Sequence, residues 1–183
     1  YNSAAEAAVL LQNNGNLLPL DFSKIKSIAV IGDNATRKHC GGGLSSEIKA
    51  LYEITPLEAL THKFGKNITI NFVQGYEKQS TFQEGGNIGQ SNTNKVDWKL
   101  IDEAVAVAKK SDVAIVFGGL NHDFDTESYD KPHMRLPYGQ ITLIQEVAKA
   151  NPNTVVVIIA GSPVELAGIV HRVPAILWAW YGG

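Results

Sequence analysis

Five short apolar runs recur along the chain, at residues 28–31, 68–73, 113–117, 155–160 and 175–180. They are rich in Val and Ile, and all but the second are mostly continuous rather than alternating. Continuous runs are typical of strands in a parallel sheet that is covered on both faces, because neither face of such a strand meets water. The runs therefore predict five strands of a buried sheet.

Stretches with helical spacing lie between these runs. One apolar stripe extends from Trp98 to Ala108, and Asp97 is placed to cap its start. A second apolar stripe covers residues 141–148, and Asn151-Pro152 is predicted to end this helix. A shorter helix is predicted after Thr55-Pro56, with proline in its first turn.

The alternation of strands and helices predicts an α/β fold, a three-layer sandwich with a mostly parallel, doubly wound sheet of about five or six strands. Residues 3–11 are predicted as a leading helix that stops at Asn14-Gly15. Residues 79–94 are rich in Gly, Asn, Gln and Ser and are predicted as a long surface loop. We interpret residues 1–183 as a single domain.

The overall composition excludes some classes of partner. The chain has 44% hydrophobic and 19% charged residues and a net charge of -2, which gives no electrostatic case for nucleic acid or an anionic membrane. No apolar run approaches the roughly 18–20 residues that cross a bilayer. One cysteine excludes an internal disulfide framework.

Three long loops are predicted to leave the carboxyl ends of strands, at residues 32–46, 74–95 and 118–138, whereas the opposite edge has tight connections. Ligands of doubly wound sheets bind outside the carboxyl ends of the strands. The third loop holds four carboxylates within eight positions: Asp123, Asp125, Glu127 and Asp130. Mutual repulsion and partial burial would raise the pKa of such a carboxylate, as a general acid near neutral pH requires.

Two other interpretations of this loop stay open from its residues alone. It can be a solvated acidic loop, which is the more frequent case for an arbitrary protein. It also resembles the start of an EF-hand, but Ser128 occupies the sixth position, where Gly is required, and Met134 the twelfth, where Glu is required.

The same loop resembles the acid/base loop of family 3 glycoside hydrolases, in which Asn and (Thr/Ser)-Glu precede Asp-(Arg/Lys) and a Leu-Pro-x-x-Gln helix start. The matching residues are Asn121, Thr126, Glu127, Ser128, Asp130, Lys131, Leu136, Pro137 and Gln140. Ser128 stands where the family usually has Gly. Similar segments cover nearly the whole chain, among them residues 28–32, the glycine loop at 41–46 and the stretch 151–157.

The resemblance implies a larger enzyme, with a TIM-like barrel preceding this domain in the same polypeptide and the active site between the two. This chain would be most of the C-terminal domain, with its own C-terminus truncated. The enzyme would be a retaining, exo-acting β-glucosidase that removes terminal β-D-glucosyl residues from a β-glucoside or oligosaccharide. The resemblance also favours a periplasmic or secreted enzyme, and no metal or cofactor is expected.

On this interpretation Glu127 is the general acid/base and the barrel supplies the nucleophile. The substrate-binding residues suggested are His122, Asp125, Tyr129 and Asp130, each of which can instead orient Glu127 or anchor the loop to itself. In the family the nucleophile is an Asp in a short motif with Trp. Asp97-Trp98 resembles that pair, but a helix cap explains the Asp better. The isolated chain is therefore expected to fold without glycosidase activity.

Three alternatives are kept. A β-xylosidase or another glycosidase of the family fits the same residues. A nucleotide-binding α/β module is disfavoured because Gly32-Asp33-Asn34 lacks the second glycine of the phosphate-binding fingerprint. A non-catalytic scaffold domain is disfavoured by the complete acid/base string around Glu127.

Overall fold

The computed structural model describes residues 2–40, 44–77, 95–128 and 130–182, without the side chain of Ser46. Six strands form one sheet: β1 (Val9–Asn13), β2 (Ser27–Ile31), β3 (Thr69–Val73), β4 (Val113–Gly119), β5 (Thr154–Ile159) and β6 (Ala175–Trp178). Their order is β1-β6-β5-β4-β2-β3, and all neighbours are parallel except β1 and β6. The predicted fold class is confirmed, while the predicted surface loop at 79–94 lies outside the described residues.

Four α-helices are described: α1 (Asn2–Ala7), α2 (Pro56–Phe64), α3 (Trp98–Lys109) and α4 (Gln140–Ala150). Thr55 and Glu58 form a reciprocal capping box at the start of α2, and the Asp97 carboxylate accepts from two backbone N–H groups at the start of α3. These contacts satisfy N–H groups that have no partner inside the helix. Across the described ranges, every helix is too short to traverse a bilayer.

The predicted leading helix at residues 3–11 is wrong in its second half. The helix ends at Ala7, and Val9–Asn13 form β1, which pairs antiparallel with β6. Val9 lies opposite Trp178 and Asn13 opposite Ala175. Pairing with a strand more than 160 residues away decides the conformation here, which local spacing does not reveal.

Two hydrophobic cores lie on opposite faces of the sheet. On one face, Ala29 and Ile31 of β2 pack in a cluster with α3 and α4. On the other face, Ile28 and Val30 pack in a second cluster, with apolar residues of α2 against it. Because neighbouring residues of a strand point to opposite faces, one continuous apolar run fills both cores. The predicted three layers are therefore present.

The connections of β2 and β4 leave the sheet in opposite directions. The chain passes from β2 through α2 to the edge strand β3, and from β4 through α4 to β5 on the other side. In doubly wound sheets such a reversal opens a crevice outside the carboxyl ends of the two strands. The loops after β2 and β4 meet at this crevice.

Candidate functional site

Asn34 joins the two loops at the crevice. Its buried side-chain amide Nδ2 donates to the backbone carbonyls of Gly118 and Leu120, each at 3.2 Å. The Tyr76 hydroxyl accepts from the Asn34 backbone N–H and donates to the Phe117 carbonyl, both at 3.1 Å. The start of the loop after β4 is thus fixed to the loop after β2.

Two glycines allow the backbones to approach one another at this edge. Gly32 has φ 113° and Gly119 has φ 122°, both in the region that glycine favours. A Cβ atom on Gly119 would lie 1.9 Å from the Ile159 carbonyl oxygen, and one on Gly32 would lie 2.2 Å from the Phe117 carbonyl oxygen. Neither position has room for a side chain.

The loop after β4 begins with a hydrogen-bonded segment, residues 118–125, which we call the loop base. The Gln140 side chain donates to the Gly119 carbonyl at 2.9 Å and accepts from its N–H at 2.7 Å. The Asn121 carbonyl accepts from the N–H groups of Phe124 and Asp125, and its side-chain oxygen accepts from the N–H of Asp123. The loop base is therefore attached to α4 and closed on itself.

Asp125 connects the loop base to the ends of β5 and β6. Its Oδ2 atom accepts from the Gly161 N–H at 2.9 Å and from the Tyr181 hydroxyl at 2.8 Å. Its Oδ1 atom accepts from the Ser162 hydroxyl. Both carboxylate oxygens are thus used by protein donors.

His122 connects the loop base to the segment after β2. Its Nε2 atom lies 2.6 Å from the His39 carbonyl oxygen, and its Nδ1 atom lies 3.2 Å from the Asp125 carbonyl oxygen. The Tyr181 ring packs against both imidazoles, with centroids 4.9 Å from His39 and 4.8 Å from His122. Within the described residues, His122 thus contacts two backbone carbonyls and two aromatic rings.

Glu127 lies beyond these contacts and is exposed. Its Oε2 atom accepts from the backbone N–H of Ser45, at 3.2 Å, so the carboxylate faces the end of the glycine loop. The glycines at 41–43 themselves lie outside the described residues. Ser45 is therefore the described residue of the glycine loop that contacts Glu127.

The predicted rise in the pKa of Glu127 is wrong for this chain. Hydrogen bonds from the Ser45 side chain and backbone lower the pKa of Glu127 below its ordinary value, because they stabilise the ionised form. The causes of the shift are the Ser45 hydrogen bonds, opposed by desolvation, while the Asp125 carboxylate is bound to donors after β5 and β6. The ionised form of the exposed Glu127 carboxylate is therefore favoured in this chain.

Residues 126–130 are called the loop tip, in which Glu127, Ser128 and Asp130 are exposed and Thr126 is half-buried. Asp130 is exposed at its end, and Tyr129 lies outside the described residues. Ser128 has φ 67°, a conformation that favours glycine, which explains physically why a Gly fits this position in the motif. Beyond the tip, Lys131 donates to the Pro163 carbonyl at 2.7 Å and returns the chain to the segment after β5.

Two residues of this edge were missed by the sequence reasoning. Tyr181 follows β6, and burial together with the nearby Asp125 carboxylate raises its pKa well above the ordinary value, so the phenol stays protonated as a donor. His39 is buried, and burial lowers its pKa to about 3. The rule that functional groups follow the carboxyl ends of strands would have pointed to both positions.

A buried ion pair was also missed. The Asp33 carboxylate accepts from Arg37, and the Arg37 Nε atom lies 2.6 Å from Asp33 Oδ2. The Gln74 side chain donates to the second Asp33 oxygen at 3.2 Å. The spacing of four residues on a short turn was the available signal, and the pair fixes the segment that leads to His39 and Ser45.

These features define a doubly wound α/β domain that presents the exposed Glu127 carboxylate at the crevice where such folds bind ligands. The chain belongs to the glycosyl hydrolase family 3 C-terminal domain, whose family model matches residues 8–183.

Three relatives show the range of similarity. The chain is 38% identical over 190 aligned positions to beta-glucosidase BoGH3A of Bacteroides ovatus, covering 100% of this chain and 25% of that protein. It is 34% identical to a beta-xylosidase of Formosa agariphila, covering 98% of this chain and 24% of that protein. The crystal structure of the family 3 beta-glucosidase of Bifidobacterium adolescentis superposes with a TM-score of 0.77 at 30% identity, covering 98% of this chain and 24% of that one. The chain thus spans about a quarter of the length of these relatives.

Proposed function

We propose that this domain supplies Glu127 as the general acid/base of a retaining β-glucosidase whose nucleophile lies in a barrel domain of the same polypeptide. The observation that carries the proposal is the position of Glu127, exposed at the crevice with its carboxylate held toward Ser45. The relatives that the chain matches are about four times as long, which leaves room for the second catalytic group.

The chemistry requires two carboxyl groups about 5–5.5 Å apart in a retaining enzyme. One attacks the anomeric carbon while Glu127, protonated, gives its proton to the leaving oxygen. Glu127 then removes a proton from the water that releases the sugar. We expect the nucleophilic carboxylate of the barrel to oppose ionisation of Glu127, against the effect of Ser45, and so to favour the acid form in the assembled site.

The other suggested substrate-binding residues differ in their availability. Asp130 is exposed in the loop tip and is free to face a sugar. His122 and Asp125 make their described hydrogen bonds to the protein itself, which supports a role in holding the loop. Tyr129 keeps its suggested role as an expectation from its position in the loop sequence.

The experiment is Glu127→Ala in the full-length polypeptide. We expect kcat/KM for phenyl β-glucoside to fall by about 10²–10⁴-fold, the usual contribution of a positioned general acid. With 2,4-dinitrophenyl β-glucoside, azide should restore turnover and give β-glucosyl azide. The control is Glu165→Ala, which removes another exposed carboxylate of the same edge.

Two outcomes would contradict the proposal. Full activity of the Glu127→Ala variant, or a loss that azide does not rescue, would remove Glu127 from the reaction. Turnover of an aryl β-glucoside by the isolated 183-residue chain would show that a second domain is not required.

A β-xylosidase is the second candidate function, because a relative with that name matches nearly the whole chain at 34% identity. Both activities use the same acid/base. Comparison of kcat/KM for p-nitrophenyl β-glucoside and p-nitrophenyl β-xyloside on the full-length enzyme decides between them.

A further inference from the structure

The loop base immediately precedes Glu127 in the chain. Three side chains, those of His122, Asp125 and Tyr181, connect it to distant parts of the sheet edge. Asp125, two positions before Glu127, receives donors from Gly161, Ser162 and Tyr181. His122 reaches the carbonyl oxygen of His39 on the opposite loop, which leads to Ser45. The backbone on which Glu127 is carried is thus held from both sides of the crevice.

Tyr181 connects these two attachments. Its hydroxyl donates to the Asp125 carboxylate at 2.8 Å, and its ring packs against the imidazoles of both His39 and His122, which also contact each other edge-on. The cluster is mostly shielded from water: His39 is buried, and His122, Asp125 and Tyr181 are half-buried. A hydrogen bond to a carboxylate in such surroundings is stronger than an exposed one.

We propose that His122, Asp125 and Tyr181 form a loop clamp, a set of positioning residues that fixes the direction in which Glu127 presents its carboxyl group, and that they act without contacting the sugar. The inference rests on the proposed role of Glu127. It assigns His122 and Asp125 to positioning instead of substrate binding, and it adds Tyr181, which lies 54 residues after Glu127 in the sequence.

Proton transfer in the transition state depends on the distance and angle between the acid and the leaving oxygen. A displacement of about 1 Å at the reacting groups can lower the rate by roughly 10²-fold. The requirement falls only on substrates whose leaving group needs a proton. A good leaving group departs without one, so a misdirected Glu127 has little effect on that step.

The test is Tyr181→Phe in the full-length enzyme, which removes the hydroxyl and keeps the ring. We expect kcat/KM for phenyl β-glucoside to fall by about tenfold or more, and that for 2,4-dinitrophenyl β-glucoside to change by less than about twofold. kcat/KM is the correct quantity because it reports the first bond cleavage and excludes the later hydrolysis step.

The matched control is Thr154→Val, which also loses a buried hydroxyl hydrogen bond, to the Asn151 carbonyl, but at the start of β5, away from Glu127. We expect this control to lower the thermal unfolding temperature and to affect both substrates equally. A second variant, Ser162→Ala, removes another donor to Asp125 and should repeat the Tyr181→Phe pattern at smaller size.

Equal losses on the two substrates in Tyr181→Phe and Ser162→Ala, or no loss on phenyl β-glucoside, would overturn the loop clamp. Either result would leave the role of Glu127 intact if the Glu127→Ala variant is rescued by azide. Failure of that rescue would instead remove the proposed function itself, so the two failures are distinguishable.

Discussion

The loop base and the loop tip are adjacent in the chain but differ in how the protein holds them. In the loop base, Asn121 and Asp123 are buried, and Asp125 has both carboxylate oxygens occupied by protein donors. In the loop tip, Glu127, Ser128 and Asp130 are exposed, and the contact described for the Glu127 carboxylate is with Ser45. One loop thus contains a segment fixed by hydrogen bonds and a neighbouring segment whose side chains are exposed.

The two parts of the loop contribute differently to the stability of the domain and to its proposed chemistry. Hydrogen bonds between buried groups fix a conformation, because breaking one leaves a buried polar group without a partner. An exposed carboxylate contributes little to folding and stays available to a ligand or to another domain. Substitutions in the base should therefore lower stability, and those that loosen the loop clamp should also misdirect Glu127. Substitutions in or against the tip should change activity or its pH dependence with little effect on stability.

The largest effect is expected for Gly119→Ala in the loop base. The added Cβ atom would lie 1.9 Å from the Ile159 carbonyl oxygen, and φ 122° is unfavourable for alanine. We expect a loss of more than about 3 kcal/mol in the free energy of unfolding, measured by urea denaturation. Gly182→Ala is the control, since no atom lies within 4 Å of its added Cβ. Equal stability of the two variants would contradict the tight packing of β4 against β5.

An intermediate effect is expected for Asn34→Ala, which removes the amide that donates to Gly118 and Leu120 at the start of the loop base. The carbonyls lose a donor in a buried place, which should cost about 1–3 kcal/mol of unfolding free energy. The control is the exposed Asn67→Ala, expected to stay within about 0.5 kcal/mol of the parent. A neutral Asn34→Ala would show that the two loops do not depend on this bridge.

The smallest effect is expected for Ser45→Ala, opposite the tip. Hydrogen bonds from Ser45 favour the ionised form of Glu127, so loss of the hydroxyl raises the pKa of Glu127. If Glu127 acts as the acid, the high-pH limb of the kcat/KM profile of the full-length enzyme should move to higher pH, with little change in stability. Ser23→Ala, which removes a hydroxyl bound to the Asp21 carboxylate far from the crevice, should leave the profile in place. A shift to lower pH would contradict the assignment.

The sheet edge that carries the candidate site could be predicted from sequence, because it follows from the parallel arrangement of the strands. Continuous apolar runs at residues 28–31 and 113–117 identified two parallel strands, and the loops that follow them are long. The carboxyl ends of parallel strands share one edge, which placed Glu127 and the glycine loop together. The contact between Glu127 and Ser45 agrees with this reasoning.

The attachments of the loop base could not be predicted in the same way. The donors to Asp125 come from positions 161, 162 and 181, which are distant along the chain and meet only in the folded sheet. The spacing of the four carboxylates suggested mutual repulsion, but their side chains diverge into different surroundings. The direction of the Glu127 pKa shift therefore depends on tertiary contacts that a linear pattern does not contain.

The pairing of β1 with β6 has a consequence for biosynthesis. β1 has one neighbour in the sheet, and the two strands are separated by more than 160 residues of chain. At roughly 5–20 residues per second, a ribosome needs on the order of 10–30 s to make the intervening chain. During that interval Val9, Leu10 and Leu11 have no strand to pair with, so the backbone N–H and C=O groups of this segment stay outside the sheet until β6 emerges.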